Sequence, residues 1–435
     1  MKKVALHNLG CKVNAYETEA MQELLEEAGY EIVPFEAGAD IYIINTCTVT
    51  NIADRKSRQM IHKAKKMNPN AVVVAAGCYV QAAGEKIREE LAIDLVIGNN
   101  KKKDLVSILK SYEKGEVQKE TVIDIGHTKE YESLFATRTA EHTRAYVKVQ
   151  DGCNQFCSYC IIPYARGRVR SRRTEEVCEE VRQLAKSGYQ EIVLTGIHLS
   201  SYGVDLEGES LLSLIQMVHE IPGIRRIRLG SLEPGIITED FALALTEMEK
   251  VCPHFHLSLQ SGCNATLRRM NRRYTAEEFE EKCQILRRVF DSPALTTDVI
   301  VGFPGETEEE FSQTLEFLKR IAFFETHIFK YSRRKGTRAD KMENQIDEAV
   351  KTKRSKILLD LDERNTEKYA LGRIGKQVEI LIEESMELDG KTYQVGHTRE
   401  YMKAAVRSRE DLKNRTVPAT VEKLAKKRLF LCKLL

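Results

Sequence analysis

Between Ala145 and Tyr331 the chain alternates short apolar runs with amphipathic stretches, six times in succession. The runs are Ala145–Gln150, Glu191–Thr195, Ile224–Leu229, His254–Leu259, Ala294–Val301 and Thr326–Tyr331. Runs of this length suit strands, and strands covered on both faces need no polar alternation. The stretches between them carry a helical apolar period over Thr174–Ser187, Ser210–Ile221, Thr238–Lys250, Thr275–Phe290 and Glu306–Arg320, with a longer one after Asp340. Thr174, Thr238 and Thr275 each precede acidic residues, which suits a helix N-terminus. Parallel strands joined by helices cross over with a single hand. Six such units predict a (β/α)6 partial barrel, with its chemistry on the loops that follow the strands.

A chain of 435 residues exceeds one ordinary core, and the segments flanking the barrel have patterns of their own. Over residues 1–135 an apolar run ends in a cysteine three times, at Cys11, Cys47 and Cys78. A helical stretch follows each, around Tyr16–Ala28, Ile52–Met67 and Ala83–Leu91. This reads as a doubly wound α/β domain, in which ligands gather beyond the carboxyl ends of the strands. One such cysteine is commonly just a buried thiol; three at the same place in the strand–helix unit point to one metal centre. Asn14 and Asn45 stand where they could orient the thiolates.

Residues 371–435 break into short β-rich runs separated by Gly, Asp and Asn, which predicts a small five-stranded OB-like β-barrel. They carry 14 Lys/Arg against 9 Asp/Glu, a local charge of +5 that leaves −3 on the rest of the chain. That asymmetry points to an anionic partner. Residues Ser111–Glu141 lack periodicity and read as a linker, so the expected domains are 1–135, 136–370 and 371–435. No apolar run approaches the length of a membrane span and Met1–Gly10 is not a signal peptide, so the expectation is a cytoplasmic protein.

Directly after the first barrel strand, Cys153, Cys157 and Cys160 are separated by three residues and then two. Thiolates are soft ligands for iron–sulfur clusters or zinc. A cubane cluster ordinarily takes four, so three leave one iron open to a ligand that is not protein. Structural zinc usually takes its cysteines as two matched pairs, and no second pair occurs here. Cys178, Cys252, Cys263, Cys283 and Cys432 lack ligand spacing and read as ordinary thiols. Five arginines crowd Pro163–Arg173, just beyond the cysteine loop.

The Cys-x3-Cys-x2-Cys motif, with Tyr159 before its last cysteine, resembles the signature of radical S-adenosylmethionine enzymes. Cys153–Arg173 together with Gly10–Glu17, Asn45–Thr50 and Gly77–Gln81 is similar to the methylthiotransferase family, over essentially the whole chain. The resemblance implies two [4Fe–4S] clusters, one on Cys11, Cys47 and Cys78 and one on Cys153, Cys157 and Cys160. It also implies S-adenosylmethionine as radical source and methyl donor, bound by Tyr159, Thr195, Gly196, Glu233, Ser258, Gln260, Asp298 and Ile300, with Arg166 on its carboxylate. No side-chain acid or base is required. The C-terminal module resembles the TRAM domain that closes these enzymes, and Arg168, Arg170, Arg172, Arg399, Tyr401, Lys403 and Arg407 are the expected RNA contacts.

The implied reaction adds a methylthio group to C2 of adenosine 37 in the tRNA anticodon loop, with electrons from a donor such as flavodoxin or ferredoxin. Gly10–Glu17 and Tyr164–Arg172 resemble the branch acting on N6-threonylcarbamoyladenosine. The isopentenyladenosine branch has Gln-Met in place of Lys12-Val13 and an acidic residue in place of Val169. Isopentenyladenosine and a ribosomal-protein aspartate stand as the alternative substrates. A non-catalytic metal-cluster RNA-binding protein is the alternative of a different class.

Overall fold

The computed structural model describes residues 1–84, 87, 91–116, 121–137, 143–425 and 428–435. The N-terminal sheet is wholly parallel, in the order β2-β1-β3-β4-β5, from β1 (Lys3–Asn8), β2 (Glu31–Ile32), β3 (Ile41–Thr46), β4 (Val72–Gly77) and β5 (Leu95–Ile97). Every residue of β3 is buried, as its apolar, β-branched run requires at the centre of a covered sheet. Helices Lys12–Glu27 and Asn51–Met67 follow β1 and β3. The helix after β4 starts at Cys78 itself and runs to Ala83, while most of the predicted Ala83–Leu91 helix lies outside the described residues.

Six parallel strands in sequence order make the partial barrel: β6 (Arg144–Asp151), β8 (Glu191–Gly196), β9 (Arg226–Leu229), β10 (His254–Gln260), β11 (Ala294–Val301) and β12 (Glu325–Lys330). A parallel bridge between Leu232 and Leu257 joins its two halves. The short β7 (Arg170–Ser171) pairs antiparallel to the end of β6 and holds the arginine-rich segment against the barrel rim. One continuous apolar core fills the space between strands and helices, from Ala145 to Leu361. Helix Glu348–Leu371 then leads into the C-terminal barrel.

That barrel closes in the order β13-β14-β15-β17-β16, from β13 (Gln377–Leu388), β14 (Lys391–Thr398), β15 (Lys403–Arg407), β16 (Thr416–Ala425) and β17 (Leu429–Leu434). It docks on the partial barrel through arginines. Arg226 donates to the carbonyls of His397 (3.0 Å) and Glu379 (2.9 Å), and Arg228 to that of Arg399 (3.0 Å). Two expected RNA contacts are consumed in this seam and must be corrected. The Arg399 guanidinium donates to the carbonyls of Glu249 and Val251. Tyr401 is stacked against His397 and His254 at ring separations of 4.6 and 5.0 Å, with Arg144 and Arg228 also over its ring. No face of Tyr401 is left for a base.

The expected linker is also different. Its first residues finish the helix Leu105–Glu113, and Ile125, Leu134 and Ala136 are buried. Tyr16 donates to the Leu134 carbonyl, and the Ala136 amide donates to Glu180 at 2.9 Å. This described stretch is a packed strap between the N-terminal sheet and the barrel.

Candidate active site

Cys11 and Cys78 open the helices after β1 and β4, and Cys47 directly follows β3, so the three share the carboxyl edge of the N-terminal sheet. Gly10 and Gly77 permit the approach. A Cβ on Gly10 would sit 2.8 Å from the Cys47 Cβ, one on Gly77 would meet the Asn45 Oδ1 at 2.5 Å, and both glycines have positive φ. Burial pushes the Cys47 thiol up to about 11, and the neighbouring Cys78 and Cys11 add to the rise. The Asn14 backbone amide reaches the Cys11 sulfur, but the side chains of Asn14 and Asn45 are spent on backbone carbonyls. Asn14 holds the carbonyls of Leu9 (2.7 Å) and Thr46 (3.0 Å), while Asn45 holds that of Asn14 (3.0 Å), which pins the strand ends carrying the cysteines.

The second trio lies in the loop after β6. The Gln155 amide points at the Cys153 sulfur at 3.4 Å, and Arg272 donates to the Cys157 sulfur at 3.2 Å. The same guanidinium grips Glu233 at 2.6 Å and the Ser258 carbonyl at 3.1 Å. Burial pushes Cys153 up to about 11 and Cys160 up to about 12, with Cys157 contributing to both. Thiols held this high bind a metal only as thiolates, their protons being displaced to solvent as the metal binds.

Arg166 departs from its expected place. Its Nε donates to the Cys78 sulfur at 3.1 Å, and its other nitrogens reach Glu17 (2.5 Å), Asp151 (3.2 Å) and Asn14 (2.6 Å). It therefore serves the N-terminal trio, not a cofactor carboxylate in the barrel. Glu17 is fully buried and also binds Lys102 and Lys148, each at 2.7 Å. Burial opposes its ionisation, but Arg166, Lys102 and Lys148 override that and hold it well below the usual carboxylate range. Arg170 and Arg172 are equally misplaced as RNA contacts. Each is about 1% exposed, Arg170 lying 3.7 Å from Asp151 and Arg172 paired with Glu180. Of the arginines expected on RNA in this run, only Arg168 is exposed.

Tyr159, Gln260, Asp298 and Ile300, from three different barrel segments, line one cavity of ≈ 250 Å³. Gln260 reaches it through an irregularity at the end of β10, where its φ is +69°. Val49 and Thr50, two and three residues after Cys47, line it as well. Residues close in sequence to one cysteine of each trio therefore share this space, while the cysteines themselves are not among its lining residues. Glu233 and Ser258 gather on Arg272 beside it, whereas Thr195 and Gly196 end β8 against Gln150 and are not among its lining residues.

Residues 3–98 match the family described as uncharacterized protein family UPF0004, and residues 147–318 match the radical SAM superfamily. The threonylcarbamoyladenosine tRNA methylthiotransferase MtaB of Bacillus subtilis is 42% identical, over 97% of this chain and 94% of that protein. The chain belongs to the radical S-adenosylmethionine methylthiotransferases. The tRNA-2-methylthio-N(6)-dimethylallyladenosine synthase of Acetivibrio thermocellus is 37% identical, over 92% and 84% of the two chains. Among solved structures, the radical S-adenosylmethionine methyltransferase TsrM of Kitasatospora setae superposes with a TM-score of 0.58 at 16% identity, over 77% of this chain and 73% of that one. That likeness speaks to the fold.

Methylthiotransferases of this kind use [4Fe–4S] clusters and S-adenosylmethionine, and both cysteine sets suit cubanes. A mononuclear zinc at about 2.3 Å from each sulfur would draw three sulfurs to within roughly 4 Å of one another. Among the described residues the one set of three ligating atoms within 4.8 Å is His256, Asp298 and His327, so both cysteine trios are wider than that. Arg166 and Asn99 (3.6 Å) on Cys78, and Arg272 on Cys157, also supply the donors that cluster sulfurs take. Asn99, Glu17 and Arg272 were not singled out from the sequence. Glu17 closes the Gly10–Glu17 motif but carries no ligand spacing, and Asn99 and Arg272 lie far along the chain from Cys78 and Cys157, where nothing local marks them.

Proposed function

We propose that this methylthiotransferase modifies tRNA, adding a methylthio group to C2 of N6-threonylcarbamoyladenosine at position 37. One observation carries the reading: Val49 and Thr50, just beyond Cys47, and Tyr159, the residue before Cys160, line a single cavity together with Gln260, Asp298 and Ile300. When bound, the clusters and S-adenosylmethionine supply the radical and methylthio chemistry of the family. The chain's own contribution is placement. Arg272 holds Glu233 and the Ser258 carbonyl beside Cys157, Arg166 fixes Cys78 against the barrel, and Tyr159 and Ile300 wall the adenosyl side of the cavity.

In this reading residues 1–135 carry the auxiliary cluster on Cys11, Cys47 and Cys78, residues 136–370 the cluster that binds S-adenosylmethionine, and residues 371–435 part of the RNA surface. Arg168, Lys403 and Arg407 are exposed and suited to phosphate. The reductant is a one-electron protein donor such as flavodoxin or ferredoxin, and the compartment is the cytoplasm. No helix of the described residues is long and apolar enough to cross a membrane. The test is anaerobic reconstitution followed by nucleoside analysis of tRNA carrying the threonylcarbamoyl group. Two cubanes require about eight irons per chain. Failure of that tRNA to gain the methylthio group, with both clusters in place, sinks the substrate assignment.

A further inference from the structure

A second cavity, of ≈ 240 Å³, shares Asp298 with the first and runs into the barrel beneath it. Its wall is built from alternate residues of three neighbouring strands: His254 and His256 on β10, Thr296 and Asp298 on β11, Glu325 and His327 on β12. Alternate strand residues share a face, and the inward face of a β/α barrel is ordinarily packed with branched apolar side chains. A polar inner wall costs desolvation energy that folding alone does not require. The Nδ1 of His254 is buried without a hydrogen-bond partner. The volume would hold about eight waters at roughly 30 Å³ each, which is room for a branched polar substituent.

The charges inside are unequal. Glu325 is paired with Arg428 at 3.1 Å, and Asp298 has a His256 ring nitrogen at 3.3 Å, so each acid already has a side-chain partner. Lys12 enters from the residue after Cys11 and has no hydrogen bond or ion pair among the described residues. It is an exposed cation with no ion-pair partner among the described residues, at the cavity wall beside Cys11.

We propose that this cavity is the subsite for the N6 substituent of the substrate nucleoside, with Lys12 as the counter-ion of its threonyl carboxylate. The inference rests on the substrate reading above and extends it. With the adenine between the two cysteine trios, the substituent passes Asp298 and enters the barrel. Its carboxylate meets Lys12, while Asp298 and Ser231 are positioned for its N–H and hydroxyl donors. A wholly apolar substituent would leave the His254 Nδ1 buried and unmatched and would give Lys12, exposed at the cavity wall, no partner, so the same cavity selects against it.

The experiment is a binding cycle on the reconstituted full-length protein. Anticodon stem-loop RNAs carry N6-threonylcarbamoyladenosine, its carboxamide, or isopentenyladenosine; the proteins are wild type, Lys12→Gln and Lys12→Arg. Fluorescence anisotropy at fixed salt reads the Kd. Wild type should bind the acid about tenfold or more tightly than the carboxamide, the usual worth of a charge-assisted contact. In Lys12→Gln that ratio should fall to within about twofold, and Lys12→Arg should recover most of it. A lysine acting only on RNA phosphate would weaken acid and carboxamide alike and leave the ratio intact, which overturns the proposal. So does a wild type that binds the two equally, a result that stands even if Lys12→Gln does not fold. Mass spectrometry of the RNA separates the two readings. If wild type methylthiolates only the isopentenyl stem-loop, the substrate reading itself is lost. If it modifies the threonylcarbamoyl RNA while Lys12→Gln keeps the full acid preference, only the role of Lys12 is lost.

Discussion

Arg166 and Cys78 are 88 residues apart in sequence and meet at 3.1 Å, guanidinium Nε to sulfur. The contact ties the short helix Ile162–Arg166, which follows one cysteine trio, to a cysteine of the other. Arg166 is fully buried with Glu17 and Asp151, so removing its charge leaves buried carboxylates short of a partner. Breaking a buried pair in that way typically costs about 3–5 kcal/mol. Arg166→Met is therefore expected to lower the melting temperature sharply and to lose about four of roughly eight irons on reconstitution. Arg166→Lys keeps the charge but not the planar fork. It should hold both clusters and shift the electron paramagnetic resonance signal of the N-terminal one. Unchanged iron content and spectrum in both variants would mean that the contact does not matter to the cluster.

Arg272 plays the corresponding part at the other trio, bridging Cys157, Glu233, Ser258 and Tyr274. Arg272→Lys cannot span all four. The expected outcome is a chain that keeps the N-terminal cluster, cleaves S-adenosylmethionine at least about tenfold more slowly, and binds it more weakly by equilibrium dialysis. Cleavage at the wild-type rate would remove Arg272 from the site.

Glu191 lies under the seam with the C-terminal barrel, 2.9 Å from Arg228 and 3.6 Å from Arg226. Burial alone would raise its pKa, but Arg228, helped by Arg226 and Arg144, overrides this and holds it at about 2. A depressed folded-state pKa gives stability that is present above the unfolded value of 4.5 and is lost as pH falls toward 2. The shift corresponds to roughly 3 kcal/mol. Chemical denaturation should show the wild type losing about that much between pH 4.5 and 2, beyond the loss shared with Glu191→Gln. Parallel curves for the two proteins over that window would contradict the assignment.

What could be read from the sequence follows from which signals are local. The six barrel strands fall within two residues of their apolar runs, as do the helix starts at Thr174, Thr238 and Thr275, because period and capping are written in neighbouring residues. The cysteines carried local signals too: Cys11, Cys47 and Cys78 each follow a strand end, and Cys153, Cys157 and Cys160 share one loop at a spacing of three and then two residues. The arginines did not. Arg166 read as a cofactor contact and Arg170 and Arg172 as RNA contacts, yet the chain turns at Gly167 and pairs β7 back on β6, carrying them inward to Glu17, Asp151 and Glu180. Those carboxylates come from three separate segments, so no local pattern announces them. Tyr401 misled in the same way. Its ring contacts depend on how the C-terminal barrel docks, and the turn between β14 and β15 that carries it shows no trace of that.

The division between inward and outward arginines gives the last prediction. Arg168 is exposed with its guanidinium 4.5 Å over the Phe156 ring, and Lys403 and Arg407 are exposed on the C-terminal barrel, Lys403 sharing a surface pair with Glu384 at 3.2 Å. Surface pairs of that kind are worth little, so Lys403 remains available to RNA. Each residue that contacts a phosphate should, when changed to Ala, reduce the slope of log K against log salt by about 0.7–0.9. Arg168→Ala, Lys403→Ala and Arg407→Ala are expected to do this and to leave the melting temperature within about a degree or two, since exposed substitutions rarely move stability by more than about 0.5 kcal/mol. Arg172→Ala should do the reverse. It strips Glu180 of its buried partner, so it should lower the melting temperature steeply while the salt slope of the protein that still folds stays at the wild-type value. Titration of tRNA at several salt concentrations, with thermal melts of the same samples, reads both quantities. If the exposed trio leaves the slope unchanged, the RNA must lie on another face of the molecule.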